Sequence, residues 1–140
     1  YLTLGGEYTR VNPFVYGNLV PAQIYTQHGA SLGDWMGNNF DRLILFAKYT
    51  PIPRLRTYLR FQQIQKGGAG TVLQQYEAEP QPPFLFDFQK KRTDLFLQVS
   101  YEWFNNLYFN ANYLWLNEDR QNGGKRSGSR LSLSISYGLR

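Results

Sequence analysis

The chain has 140 residues, enough for one domain, and 17% of them are aromatic although the mean hydropathy is only -0.48. No segment approaches the roughly 18 consecutive apolar residues of a transmembrane helix, so helical membrane spans are excluded. Cysteine is absent, which excludes disulfides and thiolate metal sites, and the net charge of +5 by itself suits nucleic acid, anionic lipid or an acidic polysaccharide.

Apolar residues alternate with polar or small residues in six segments, and this period of two predicts six β-strands. In chain order the predicted strands span residues 1–11, 41–50, 54–66, 92–103, 107–117 and 130–140. The last is the clearest, because Leu131, Leu133 and Ile135 are separated by serines. Strands of about ten residues can cross a bilayer when only every second residue is apolar.

The predicted connections alternate between short and long. Residues 51–53 and 104–106 are predicted tight turns, whereas residues 12–40, 67–91 and 118–129 are predicted long loops, with a flexible glycine-rich run at 67–70. Short turns at one end and long loops at the other are typical of outer-membrane barrels, whose turns face the periplasm.

The predicted fold is therefore all-β, an antiparallel up-and-down transmembrane β-barrel in the bacterial outer membrane. Residues 1–140 would form its C-terminal part, because six strands are too few to close such a barrel and further strands are expected upstream. Aromatic residues near the predicted strand ends favour this membrane location. A soluble β-sandwich or a lipocalin-like barrel stays open as an alternative, since its strands also alternate.

Two blocks in the first half of the chain suggest a family. Residues 7–16 read EYTRVNPFVY, and residues 31–43 read SLGDWMGNNFDRL, with Tyr25 between them. Together they resemble the Wzi-type capsule assembly family, which has a similar EYTR-x-NP-x-x-Y block followed by an LG-x-x-x-G-x-x-x-D segment that leads into a strand. The resemblance covers residues 7–66 and implies a monomeric barrel of about eighteen strands that binds capsular or exopolysaccharide at the cell surface.

Five cations share the predicted lumen face of two neighbouring strands. They are Arg42, Lys48, Arg54, Arg56 and Arg60. Such a cluster attracts carboxylate or phosphate groups, so it predicts a site for an acidic polysaccharide. The alternative is that these cations form internal ion pairs with the acids of neighbouring strands, namely Glu7, Asp94 and Glu102.

Four aromatic residues of the first predicted loop, Tyr16, Tyr25, Trp35 and Phe40, lie among asparagines and glutamines. Flat rings beside amide groups suit the faces and hydroxyls of sugars, so the first three are predicted polysaccharide contacts. Loop packing and anchoring at the membrane interface are the alternative. Because His28 is the only histidine, no metal site, cofactor or catalytic triad is expected, and the chain is not expected to be an enzyme.

Three functions stay open at this point: a polysaccharide-binding barrel, a porin or substrate channel, and a structural barrel within an envelope complex. The expected partners are membrane lipid, an acidic surface polysaccharide and other envelope proteins, but not nucleic acid. Lipopolysaccharide is a further expected partner, because basic clusters at residues 90–92 and 125–126 stand at predicted outer strand ends, within reach of lipid phosphates.

Overall fold

The fold is known from a computed structural model, which describes residues 1–20, 26–27, 30–31 and 33–138. These residues form eight strands and one short helix. In chain order the elements are β1 (Leu2–Val11), β2 (Thr26–Gln27), β3 (Ala30–Ser31), β4 (Phe40–Ile52), β5 (Leu55–Lys66), α1 (Val72–Glu77), β6 (Lys90–Phe104), β7 (Leu107–Arg120) and β8 (Gly124–Tyr137). All six predicted strands are therefore confirmed, and none of the described helices is long and apolar enough to cross a membrane.

The six long strands form one antiparallel up-and-down sheet in the order β1-β4-β5-β6-β7-β8. It is open, with β1 and β8 at its edges, while β2 and β3 form a separate two-stranded ribbon. Two-residue turns at 53–54 and 105–106 connect the strands at one end of the sheet. We call this end the turn end and the opposite end, where residues 12–39 and 67–89 connect the strands, the loop end.

The prediction of a long loop at residues 118–129 is wrong. β7 continues to Arg120 and β8 begins at Gly124, so only residues 121–123 form the connection. The apolar alternation stops before this hairpin, but the backbone pairing does not, because opposite charges face each other in the register Asp119–Lys125 and Glu118–Arg126. The strands thus extend beyond their apolar segments.

Among the described residues, the register places the paired apolar positions of the predicted strands on one face of the sheet, because residues directly opposite each other point to the same side. Three successive rows across the sheet illustrate this apolar face: Leu2-Tyr49-Thr57-Val99-Ala111-Leu133, Leu4-Ala47-Leu59-Leu97-Tyr113-Leu131, and Gly6-Leu45-Phe61-Leu95-Trp115-Ser129. The term apolar band denotes the apolar surface of this face between two rows. One border is the row that contains Leu107 and Tyr137, and the other is the row that contains Trp115. The other side of the sheet is the polar face.

The apolar band has different borders at its two ends. At the turn end, the Trp103 ring contacts the rings of Tyr101, Phe104 and Phe109 at centroid distances of 6.2, 6.1 and 6.3 Å. Towards the loop end a mixed, largely polar row follows, and then a charged one, Arg10-Asp41-Gln65-Lys91-Asp119-Lys125. Acidic and basic side chains alternate along that row, which limits like-charge repulsion between neighbouring strands.

The loop end carries a packed cap built around Asn39, whose side chain is fully buried. Its Nδ2 donates to the carbonyl oxygens of Gly68 (2.8 Å) and Phe86 (3.2 Å), and its Oδ1 accepts from the backbone N–H of Leu85 (2.7 Å). The first half of the glycine-rich run belongs to this cap: Gly67 and Gly68 are buried, and a Cβ at Gly67 would stand 2.3 Å from Asn39 Nδ2, whereas Ala69 and Gly70 are exposed.

Apart from this cap the described residues enclose little apolar core. Phe40 and Ile64 are the buried hydrophobic side chains among them, whereas Leu4, Leu131 and Leu133 are more than half exposed. Burial of apolar surface is the main favourable term in the folding of soluble domains. The described sheet gains little from this term, because its apolar band is exposed.

Candidate ligand-binding face

The polar face holds four of the five predicted cations. Lys48 on β4 lies opposite Tyr58, and Arg60 on β5 lies opposite Phe46, so both side chains emerge on the polar face. Arg42 and Arg56 share this parity on the same two strands. Arg54 does not belong to the strand: it lies in the turn before β5, where its carbonyl oxygen accepts a hydrogen bond of 2.8 Å from the Glu102 backbone N–H.

Internal pairing accounts for one of these cations. Arg42 Nη2 lies 2.9 Å from Glu7 Oε1, across the β1–β4 pair. The other two acids have different partners, since Asp94 binds Arg92 Nε at 2.9 and 3.0 Å and Glu102 accepts from the Asn106 backbone N–H at 3.2 Å. In the described part of the chain, Lys48, Arg56 and Arg60 form no ion pair.

Aromatic rings accompany two of the unpaired cations. Lys48 Nζ lies 5.8 Å from the centroid of Phe46 and 5.9 Å from that of Tyr58, and Arg60 Cζ lies 5.7 Å from that of Phe96. A ring face attracts a cation without using its N–H groups. The ammonium and guanidinium groups therefore keep donors for an external anion.

A cavity of about 520 Å³ opens among these groups near the turn end. Its lining includes Lys48, Arg56, Tyr58, Gln98 and Ser100, all on the polar face. The two cations supply charge, and the hydroxyl and amide groups supply both donors and acceptors. This combination suits a carboxylate attached to a polyhydroxylated body, such as a uronic acid.

A second group of cations lies at the loop end of the polar face, and the sequence had indicated only Lys90 among them, as a lipid-phosphate contact. Lys66, Lys90 and Arg120 lie directly opposite one another on β5, β6 and β7. Arg120 is already paired with Glu118, whereas Lys66 and Lys90 form no ion pair within the described residues, so an anion bound between these two lysines would offset their repulsion. The sequence contained a signal for this row. If the two-residue alternation of each strand is continued past its apolar segment, all three cations fall on the polar face.

Lys66 belongs both to the row of Lys66, Lys90 and Arg120 and to the cap. It lies five residues beyond Phe61, outside the apolar band, and its ammonium donates to the carbonyl oxygen of Asn38. Burial lowers the pKa of the Lys66 ammonium, the positive charge of Lys90 lowers it further, and Asp34 acts in the opposite direction. The cap thus closes onto the charged end of the polar face.

The predicted loop contacts have different environments. Tyr16 accepts a hydrogen bond of 3.1 Å from the Asp34 backbone N–H, whereas the Trp35 ring is 75% exposed and available for stacking. Tyr25 lies outside the described residues. Phe40 begins β4 and is fully buried at the base of the cap, so its ring is not presented to a ligand.

The two blocks that carry the family resemblance lie side by side in the sheet. β1 and β4 pair so that Glu7 of the first block binds Arg42 of the second, and the Asn39 backbone N–H donates to the Asn12 carbonyl oxygen at 3.2 Å. Comparison with known proteins finds no matching family model, no matching curated protein and no matching solved structure.

Proposed function

We propose that this chain is part of a bacterial outer-membrane β-barrel that binds an acidic surface polysaccharide through its polar face and outer loops. The observation that carries the proposal is the exposed apolar band, to which all six strands of the sheet contribute. Large exposed apolar surfaces are rare on soluble proteins, because a second layer usually covers them. The proposal assigns membrane hydrocarbon to this surface.

The dimensions of the apolar band support a membrane location. On β7 it extends from Leu107 to Trp115, nine residues, and transmembrane β-strands have about 9–11. The cluster around Trp103 at the turn end would lie at one lipid–water interface, where aromatic side chains are enriched. The charged row that contains Asp41 and Lys91 would lie beyond the other interface, in contact with lipid headgroups.

The charge of the polar face supports an anionic ligand. Its register positions include ten cations and only four acids. The cations are Arg42, Lys48, Arg56, Arg60, Lys66, Lys90, Arg92, Arg120, Arg126 and Arg130, and the acids are Glu7, Asp94, Glu102 and Glu118. This excess of six positive charges would attract polyanions, and the resemblance to the Wzi-type family points to a capsular or exopolysaccharide.

A second candidate function is an anion-selective channel. The same cations extend along the polar face from the cavity at Lys48 and Arg56 to the row at Lys66, and rings of cationic side chains favour anion passage. Conductance in planar bilayers distinguishes the two functions: a polysaccharide-binding barrel without a continuous pore gives no channel events, and an anion channel gives chloride-selective ones.

We expect removal of charge from the polar face to weaken polyanion binding. The double substitution Lys48→Gln and Arg56→Gln should raise the Kd for an oligosaccharide of glucuronic acid about tenfold at 0.1 M salt, because charge-assisted hydrogen bonds are lost. The difference should shrink at 1 M salt, where the Debye length is about 3 Å. Isothermal titration of the detergent-solubilised protein measures both effects.

The matched control removes the same charge from the opposite face through Lys91→Gln and Lys125→Gln, two positions in the charged row. This variant should bind the oligosaccharide within about twofold of the parent protein, since its charges point towards the membrane headgroups. Equal weakening in both double variants would mean that net charge alone governs binding, and the polar face would lose its assigned role.

The orientation of the strands gives a second prediction, and the lack of cysteine makes it easy to test. Asn122→Cys places a thiol in the hairpin at the loop end, and Asn105→Cys places one in a turn at the turn end. In intact cells a membrane-impermeant maleimide should label the first variant and not the second, while both should react after lysis. Labelling of Asn105→Cys in sealed cells would contradict the proposed orientation.

A further inference from the structure

A small cavity in the loop cap has an uncharged lining, although the Lys66 ammonium lies behind it and donates to the carbonyl oxygen of Asn38. It has a volume of about 220 Å³ and lies between the turn at residues 14–17, residues 37–38 and the start of α1. Its lining includes Phe14, Tyr16, Gly17, Asn38, Val72 and Gln75. None of its lining residues, all within the described ranges, carries a charge, so its ligand differs from that of the polar face.

The walls of the cavity combine apolar and amide surface. Phe14, Tyr16 and Val72 supply ring and methyl carbons, which suit the C–H face of a pyranose. Asn38 and Gln75 supply amide groups, which can donate to and accept from hydroxyls. The volume is below the roughly 300–1,000 Å³ of pockets for drug-sized ligands, so it suits one ring and not a longer segment.

One wall atom lacks a hydrogen-bond partner. Gln75 Oε1 is buried and accepts no hydrogen bond from the described residues. A buried acceptor without a donor is costly, and rotation of the Gln75 amide towards the cavity would let a bound hydroxyl satisfy it. This oxygen lies next to Gly17, since a Cβ added there would stand 3.6 Å from it.

The position of Phe14 also fits a constrained binding surface. Its φ of 62° lies in a region that bulky residues rarely adopt, and its ring stacks on Phe86 with centroids 5.6 Å apart. A Cβ at Gly70 would stand 2.4 Å from the Phe14 ring, so glycine is needed at that contact. The surrounding cap thus packs closely against this wall.

From these observations we infer that the loop cavity is a subsite for one uncharged sugar residue, held by Gln75 and the rings of Phe14 and Tyr16. The inference rests on the proposed function, because such a residue would belong to the same polysaccharide whose acidic groups bind the polar face. Binding at this subsite should be insensitive to salt, in contrast to binding at the polar face, since none of the lining residues is charged.

The test uses the intact protein with methyl glycosides of glucose, galactose, mannose and N-acetylglucosamine, and with glucuronic acid as the charged counterpart. Saturation-transfer NMR should detect at least one neutral glycoside, with the same Kd at 0.1 and 1 M salt. Gln75→Leu removes the acceptor, and Gly17→Ala places a methyl group beside it at ordinary contact distance. Each should raise the Kd about tenfold.

Tyr76→Ala is the matched control, because this ring is exposed on the same helix and does not line the cavity. It should leave glycoside binding unchanged. Failure of all four glycosides to bind, or equal affinity in the parent, Gln75→Leu and Gly17→Ala proteins, overturns the inference. If these variants bind glycosides normally while glucuronate binding depends on Lys48 and Arg56, the proposed function stands without the subsite. Glycoside binding to a protein absent from the outer membrane supports the subsite alone.

Discussion

Leu133→Arg is expected to destabilise the folded protein in a lipid bilayer by about 2–4 kcal/mol, the cost of an arginine near the midplane on the lipid face of a barrel. Leu133 lies opposite Ala111, in a middle row of the apolar band. Ser134→Arg, one residue further along β8, is expected to cost less than about 1 kcal/mol, because Ser134 lies opposite Asn110 on the polar face. Urea unfolding and refolding in lipid vesicles measures both free energies.

This comparison separates a membrane sheet from a water-exposed one. Leu133 is 73% exposed in the sheet, so in water its replacement would cost about as little as other surface substitutions, within roughly 0.5 kcal/mol. A large cost therefore arises only if hydrocarbon, or another apolar layer, covers this face. Equal stability of the two variants in vesicles would show that the apolar band does not contact lipid, and the membrane assignment would fail.

The faces of the strands were predictable because one physical signal determines them. Along β6, Leu95, Leu97 and Val99 alternate with Phe96 and Gln98, and a strand must place such alternating residues on opposite sides. A register slip of one residue would exchange the two faces, so the observed pairing follows the pattern closely. The six strands, and the face to which each of their residues points, could therefore be predicted from local sequence.

The strand ends were less predictable, because backbone pairing continues where the apolar pattern stops. The hairpin at residues 121–123 is flanked by charged and small residues that resemble a loop in composition. Glu118 and Arg126 stand opposite each other there, and this opposition of charges becomes visible only once the register is known. The row of Lys66, Lys90 and Arg120 was missed for the same reason.

The cap could not be predicted from sequence, since its contacts join residues that are far apart in the chain. Asn39 binds Leu85 and Phe86, more than 40 positions away, and no periodic pattern records such pairs. The loop cavity depends on the same convergence, because its walls come from residues 14–17, 37–38 and 69–75. Tyr16 was proposed as a sugar contact by residue type, but Phe14 and Gln75 were not.

The cap also gives the prediction with the largest expected effect. Asn39→Leu should destabilise the packed loops by about 3–5 kcal/mol, because it removes a buried side chain that donates twice and accepts once, each orphaned partner costing about 1–3 kcal/mol. The backbone adds to this cost, since Asn39 has a φ of 56°, which asparagine tolerates and leucine does not. Hydrogen exchange at the Leu85 and Gly67 amides should accelerate accordingly.

Asn39→Gly and Asn38→Leu separate the two causes of this effect. Asn39→Gly tolerates the positive φ but lacks the side-chain hydrogen bonds, so it should retain most of the destabilisation. Asn38 is the neighbouring amide, and its side chain donates only a long hydrogen bond of 3.5 Å to the Ala69 carbonyl oxygen, so Asn38→Leu should cost less than about 1 kcal/mol. Protection of the Leu85 amide in Asn39→Leu equal to that of the parent protein would show that the cap is held by contacts other than those of Asn39.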